Sequence, residues 1–141
     1  MSSPFTKIPA SDWIAENDHA FAIHDNYPVT EGHALVIPKE EVPTWFYATR
    51  DQQIALIDLV DAVKQLLDEE YNPDGYNVGI NNGEAAGQTV DHLHVHVIPR
   101  YEGDTDVPTG DVRNVLPDRG NYKDSDLDGW NETAPSLSDA R

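Results

Sequence analysis

The chain alternates between short apolar segments of strand length and one long amphipathic segment of helix length. Two mixed runs, 12–17 and 19–24, flank an Asn17-Asp18 turn and predict a hairpin. Residues 32–38 follow as a third strand, and a run that is apolar on both faces is typical of a central strand. The first third of the chain therefore predicts three strands of one sheet.

A helix is predicted from residue 50 to about residue 70. Thr49 is a good N-cap residue, and Gln52 completes a capping box with it. Apolar residues then recur every three or four positions, so they form one stripe that must pack against another element. The predicted stripe consists of Ile54, Ile57, Leu59 or Val60, Val63, Leu66 and Leu67.

Two more strands are predicted after the helix. Residues 72–75 are a strong turn signal, 76–81 read as a fourth strand, a glycine-containing loop begins at Asn82, and 90–99 read as a fifth strand. The segment from residue 102 on is rich in Asp, Gly, Pro and Asn. We therefore expect one α+β domain over residues 1–122 and an acidic tail over 123–141, mobile or packed on a partner subunit.

Composition narrows the classes of function. The 141 residues suit one domain, and the absence of cysteine excludes disulfides, thiolate nucleophiles and cysteine zinc sites. The formal net charge of −17 argues against nucleic acid or an anionic membrane as a partner. No apolar run is long enough to cross a bilayer, and the N-terminus lacks the features of a secretion signal, so we expect a cytoplasmic protein. An acidic chain that binds a phosphate must nevertheless supply local positive potential.

Three of the six histidines lie at alternate positions of the predicted fifth strand. In an extended segment successive side chains point to opposite faces, so the histidines share one face and the apolar residues between them share the other. The histidine face consists of His92, His94 and His96, and the apolar face consists of Leu93, Val95 and Val97. We expect the apolar face to pack into the core and the histidine face to carry the chemistry.

A metal site and nucleophilic catalysis are the two functions that such a row allows. The Cα atoms of the outer two histidines lie about 13 Å apart at the usual strand rise, too far for all three to bind one ion, and only His33 is an obvious further donor. No metal site is therefore predicted. A neutral imidazole can instead attack phosphorus through one ring nitrogen while a hydrogen bond at the other orients it. The small residues of 83–89 allow backbone N–H groups to approach an anion, which would offset the acidic surface.

The segment HLHVHVI at residues 92–98 resembles the signature of the histidine-triad (HIT) family of nucleotide hydrolases and transferases. The flanking residues look like the fragile-histidine-triad branch and its bacterial relatives. The resemblance spans roughly residues 4–122 and includes IHD at 23–25, GHALVIPK at 32–39, Asn81, GQTV at 87–90 and PR at 99–100. It implies a HIT-like fold with a five-stranded antiparallel sheet, one long helix and a short helix. It also implies a homodimer with a continuous ten-stranded sheet.

The same resemblance implies a role for each matching residue. His94 would be the nucleophile that forms a nucleotidyl-histidine, His96 would hold a phosphate oxygen, and His92 would orient its neighbours. The residues that would cradle the phosphate are Gly87, Gln88, Thr89 and Val90, with Gln88 or Thr89 near the leaving oxygen. Those that would contact the rest of the nucleotide are Asp25 at the ribose, Asn81, and Ile23 at the base. His33 is expected to be a hydrogen-bonded supporter of the triad.

Some of these residues also have purely structural interpretations. Asp25 could stabilise an Asx turn, and Asn81 could end a strand. The chain also departs from relatives that begin Cys-Pro-Phe-Cys and hold a structural zinc, because it has Ser3-Pro4-Phe5-Thr6 there.

The function implied is hydrolysis of nucleoside phosphate anhydrides of the dinucleoside polyphosphate type. A purine nucleoside phosphoramidase or adenylate-amine hydrolase is the alternative within the same chemistry, and a non-catalytic nucleotide-binding regulator is the alternative of another class. The expected partners are an adenine nucleotide and a second copy of the chain. No tightly bound cofactor is expected, and a divalent cation would accompany only the substrate polyphosphate.

Overall fold

The structure is a computed structural model that describes residues 3–117 and 119–121. Its strands are β1 (Ala15–Glu16), β2 (Ala20–His24), β3 (Ala34–Pro38), β4 (Gly75–Ile80) and β5 (Val95–Arg100), and its α-helix is α1 (Arg50–Tyr71). The strands form one sheet in the order β1-β2-β3-β5-β4, with every neighbouring pair antiparallel. This confirms the predicted five-stranded antiparallel sheet with one long helix. Short 3-10 turns of three to five residues take the place of the implied short helix in the described chain.

The two faces of the sheet bury different side chains. One face packs against α1 through a core that includes Val36, Val63, Leu67, Leu93, Val95 and Val97. The opposite face, which we call the site face, carries a second cluster of Phe21, Ile23, Leu35 and Ile37, with Phe5, Ile8 and Trp13 packed against it. β2 and β3 are apolar on both faces, so their residues are buried on both sides of the sheet. For β3 this agrees with the prediction of a central strand.

The ends of α1 agree with the prediction, and its buried stripe agrees in part, since Leu59, Val63 and Leu67 are buried as predicted. Thr49 and Gln52 form the predicted capping box, and Asn72 ends the helix in the left-handed conformation. The buried residues are Gln52, Ala55, Leu56, Leu59, Val63 and Leu67. Ile54, Ile57 and Leu66 are 49%, 53% and 40% exposed, so their assignment to the stripe is wrong. The helix has apolar residues on more than one side, and the sheet contacts the side where small Ala55 permits close approach.

Two strand boundaries move for identifiable reasons. The third strand begins at Ala34 rather than at residue 32, because Gly32 has φ +91° and cannot be part of an extended strand. The fifth strand begins at Val95 rather than at residue 90. Its ladder with β3 ends at the Val36–Val95 pair, and the carbonyl of Pro38 accepts a hydrogen bond from a His92 side chain instead. Residues 90–94 therefore lie beside the sheet without belonging to its ladder.

The chain divides into two compact units, residues 1–104 and residues 105–141. The described part of the second unit contains a 3-10 turn, Asp111–Val115, and its Arg113 Nε donates to the carbonyl of Gly120 at 3.2 Å. The predicted tail, 123–141, and the predicted boundary after residue 122 lie outside the described residues. Within the described ranges, no helix has the length and apolar content that a membrane span requires.

Candidate active site

The structure separates the histidines from the apolar residues as the alternation predicts. Leu93, Val95 and Val97 are buried in the core under α1. The imidazoles lie on the site face, where His96 is directly opposite Leu35 in the ladder and the ring of Phe5 contacts both other triad histidines. His94 and His96 are half-buried, with ring centroids 5.2 Å apart, whereas His92 is fully buried.

His92 is held by two hydrogen bonds from opposite sides. Its Nε2 lies 2.8 Å from the carbonyl oxygen of Pro38, and its Nδ1 lies 2.8 Å from Oγ of Ser3. Because a carbonyl can only accept, Nε2 carries the proton and Nδ1 accepts from the serine hydroxyl. Burial lowers the pKa of His92, which keeps the ring neutral.

His94 has one ring nitrogen occupied by the backbone. Its Nδ1 lies 2.8 Å from the carbonyl oxygen of His92, so Nδ1 carries the proton and donates it. In the neutral ring the lone pair is then on Nε2, for which no hydrogen bond is present among the described residues. The backbone therefore fixes the tautomer in which Nε2 carries the lone pair.

The tautomer of His96 is determined by a chain of hydrogen bonds that begins at a backbone amide. The N–H of Val29 donates to Nδ1 of His33 at 3.1 Å, so the proton of neutral His33 is on Nε2. That Nε2 lies 3.0 Å from Nδ1 of His96, which must accept. Nε2 of His96 consequently carries a proton that it can donate to a phosphate oxygen. Burial, reinforced by the nearby His94 and His33, lowers the pKa of His96 to about 4.

Asp25 joins this relay and also forms the Asx turn that was its structural interpretation. Its Oδ1 accepts from the N–H of Tyr27 at 2.8 Å, and its Oδ2 lies 3.5 Å from Nε2 of His33. Asp25, His33 and His96 bring three potential metal-ligand atoms within 4.8 Å of one another. The donor set favours a proton relay instead, since Nδ1 of His33 already accepts from Val29 and its Nε2 needs its proton.

The loop between β4 and the triad surrounds the buried side chain of Gln88. Its Oε1 accepts from the N–H of Gly83 at 2.8 Å, and its Nε2 donates to the carbonyls of Pro43 and Val90 at 2.6 and 2.9 Å. The side-chain amide of Gln88 is therefore engaged within the loop, and the placement of Gln88 or Thr89 near the leaving oxygen stays a prediction. Gly87, at φ +91°, is exposed beside it.

The remaining predicted site residues differ in burial. Thr89 is exposed and Val90 is half-buried, next to Gln88 in the loop. The amide Nδ2 of Asn81 lies 3.9 Å from the position that a Cβ on Gly87 would occupy, so Asn81 faces the loop. Ile23 is buried on the site face, in the same cross-strand row as Leu35 and His96.

Sequence reasoning missed the residues that hold the histidines by long-range contacts. Ser3 bonds His92, Phe5 contacts two triad rings, and Val29 contributes only a backbone N–H. The departure from Cys-Pro-Phe-Cys did mark residues 3–6 as unusual. No residue type at position 29 could have indicated a backbone donor.

Three of the histidine rings in the described site are neutral rather than cationic. Burial lowers the pKa of His33, His92 and His96, so these rings are neutral near pH 7. A bound phosphate would therefore meet imidazole N–H donors and the backbone of the 83–90 loop. Such donors supply partial positive charge in a chain of net charge −17.

An antiparallel sheet with three histidines at alternate positions on its site face is the arrangement of a histidine-triad protein. The HIT domain model matches residues 7–103, and the chain belongs to the HIT family. A HIT-like protein from Methanocaldococcus jannaschii is 39% identical over 112 residues, which cover 77% of this chain and 84% of that protein.

Two further relatives are a protein named as an enzyme and a protein of known structure. A bis(5'-adenosyl)-triphosphatase from Dictyostelium discoideum is 38% identical over 97 residues, 69% of this chain and 65% of that protein. The crystal structure of a HIT family protein from Bacillus anthracis is 37% identical, covers 73% of this chain and 76% of that one, and superposes with a TM-score of 0.68.

Proposed function

We propose that this protein is a hydrolase of nucleoside phosphate anhydrides, of the dinucleoside polyphosphate type, that acts through a nucleotidyl-histidine intermediate on His94. The observation that carries the proposal is the hydrogen bond from Nδ1 of His94 to the carbonyl of His92, at 2.8 Å. It leaves the Nε2 lone pair available for attack on phosphorus.

The proposed reaction has two displacement steps. Nε2 of His94 attacks the α-phosphorus, the nitrogen–phosphorus bond forms, and the bond to the bridging oxygen breaks with its electron pair leaving on the departing phosphate. Water then attacks the same phosphorus, the nitrogen–phosphorus bond breaks, and the electron pair returns to Nε2 while the water proton is released to solvent. The Nε2–H of His96 donates to a phosphate oxygen in both steps, which stabilises the developing charge.

The surrounding residues are proposed to bind the adenine nucleotide. The backbone of residues 87–90 (Gly87, Gln88, Thr89 and Val90) would contact the phosphates, because this loop beside the triad contains a glycine in the left-handed region. Oδ2 of Asp25 would accept from ribose hydroxyls, since Oδ1 is engaged by the N–H of Tyr27. Ile23, in the apolar cluster of the site face, would line the base. A divalent cation would enter only with the substrate polyphosphate.

Two comparative assays test the substrate class. We expect kcat/KM for diadenosine tri- or tetraphosphate to exceed that for an adenosine phosphoramidate by at least about tenfold, in line with the name of the Dictyostelium relative. The assays separate products by chromatography at equal enzyme concentration. A preference for the phosphoramidate would favour the alternative hydrolase, and nucleotide affinity without product from either substrate would favour a binding regulator.

The homodimer with a ten-stranded sheet is likewise a proposal. Among the described residues, β4 is an edge strand that pairs with β5 alone, and its Val78 is 48% exposed. Unpaired edge strands favour pairing with a second chain. We expect sedimentation equilibrium at micromolar concentration to give twice the 15.7 kDa chain mass, and Val78→Lys to shift the mass toward one chain. A single-chain mass for the unsubstituted protein would contradict the proposal.

A further inference from the structure

We propose that residues 3–6, which we call the N-terminal hook, position the histidine row, and that the hydroxyl of Ser3 is the positioning group. The expected change in kcat rests on the proposed function, whereas the expected orientation of His92 does not. Ser3 is the N-cap of the first 3-10 turn and is 5% exposed, while its partner His92 is fully buried. The contact joins residues 89 positions apart in the chain.

The two hydrogen-bond partners of the Ser3 hydroxyl determine which bond it donates and which it accepts. Oγ accepts from the N–H of Phe5 at 3.1 Å, so its own proton is free to be donated to Nδ1 of His92 at 2.8 Å. On the other side of the ring, Nε2 of His92 donates to Pro38. The serine and the proline carbonyl therefore select a single neutral tautomer and a single ring orientation.

The orientation of His92 passes to His94 by two routes. The carbonyl of His92 accepts from Nδ1 of His94, so a displacement of residue 92 displaces the group that fixes the nucleophile's tautomer. The ring of Phe5, two residues after Ser3, packs edge-on against both imidazoles, with centroid distances of 5.6 and 5.2 Å. The hook thus touches both His92 and the proposed nucleophile His94.

A positioning role predicts a loss in the chemical step rather than in binding. We expect Ser3→Ala to lower kcat for diadenosine triphosphate by about 10- to 100-fold, the usual cost of removing a group that orients a ligating or reacting histidine, with KM changed less than about threefold. Ser3→Thr, which keeps the hydroxyl, should restore most of kcat. Ser11→Ala, at an exposed serine eight residues later, is the matched control and should behave as the unsubstituted protein.

Nitrogen-15 spectra of the histidine side chains give a readout that does not depend on turnover. We expect His92 to be protonated at Nε2 in the unsubstituted protein and to shift toward a mixture of tautomers in Ser3→Ala. If the alanine variant does not fold, Ser3→Cys, of similar shape but a weaker donor, replaces it with an intermediate loss of kcat expected. Absence of hydrolysis with the expected His92 spectra would overturn the proposed function alone. An Nδ1-protonated His92, or Ser3→Ala with kcat within twofold of Ser11→Ala, would overturn the hook.

Discussion

Replacing His94 with alanine is expected to lower kcat for dinucleoside polyphosphate hydrolysis by at least about 10,000-fold, while the dissociation constant for the nucleotide stays within tenfold. The substitution removes the nitrogen that would bond to phosphorus and leaves the proposed donors of His96 and the 83–90 loop in place. Because those donors act in the bound ground state as well, affinity should survive the loss of turnover. Single-turnover kinetics and a fluorescence titration with a non-hydrolysable nucleotide measure the two quantities.

His19→Ala is the matched control for this experiment, because His19 is an exposed histidine in the β1–β2 turn that makes no hydrogen bond to a triad residue in the described chain. It should leave kcat unchanged. A second arm quenches the unsubstituted protein with radiolabelled substrate during turnover, and the label should remain on residue 94 under conditions that preserve phosphoramidates. Turnover of His94→Ala comparable with that of His19→Ala would refute covalent catalysis at this residue.

The parts of the site that could be predicted from the sequence are those encoded by short-range periodicity. Alternation over residues 92–97 requires only that the segment be extended. The three apolar residues that alternate with the histidines pack into the core, and this orients the histidines toward the opposite face. The capping box at Thr49 is equally local, since both of its hydrogen bonds join residues three apart. These local patterns are found in the structure because they depend on residues close together in the sequence rather than on contacts with distant segments.

What could not be predicted depends on which distant surfaces meet. The hydrogen bond from the side-chain amide of Gln88 to the carbonyl of Pro43 joins residues 45 positions apart, and no local pattern indicates it. The helix stripe was misassigned for a related reason: Ile54 and Ala55 are neighbours in sequence, and only the contact with the sheet decides which of them is buried. Likewise, the carbonyl of Pro38 could not be recognised as the acceptor for His92, 54 residues later.

Acidification from pH 6.5 to about 4 is expected to destabilise the fold through its buried neutral histidines. Burial lowers the pKa of His96 to about 4 and also lowers that of His92 and His33. In the unfolded chain these groups titrate near 6.5, so within this window the unfolded state binds protons that the folded state does not. The free energy of unfolding is therefore highest above pH 6.5, and it falls as the pH drops toward the pKa values of these histidines in the folded state. For partly exposed His96 alone we expect a loss on the order of 2 kcal/mol.

Urea denaturation at a series of pH values from 7.5 to 4 measures this loss, and the window distinguishes histidines from carboxylates. Asp104, whose hydrogen bonds from Arg100 lower its pKa to about 2, loses its contribution only below about pH 4. His96→Asn keeps an acceptor for the Nε2–H of His33 and removes one titrating ring, so its unfolding free energy should fall less steeply between pH 6.5 and 4. If that variant and the unsubstituted protein have the same slope in this window, His96 is not the buried neutral group that the relay requires, because a ring already protonated at pH 6 could not accept from His33.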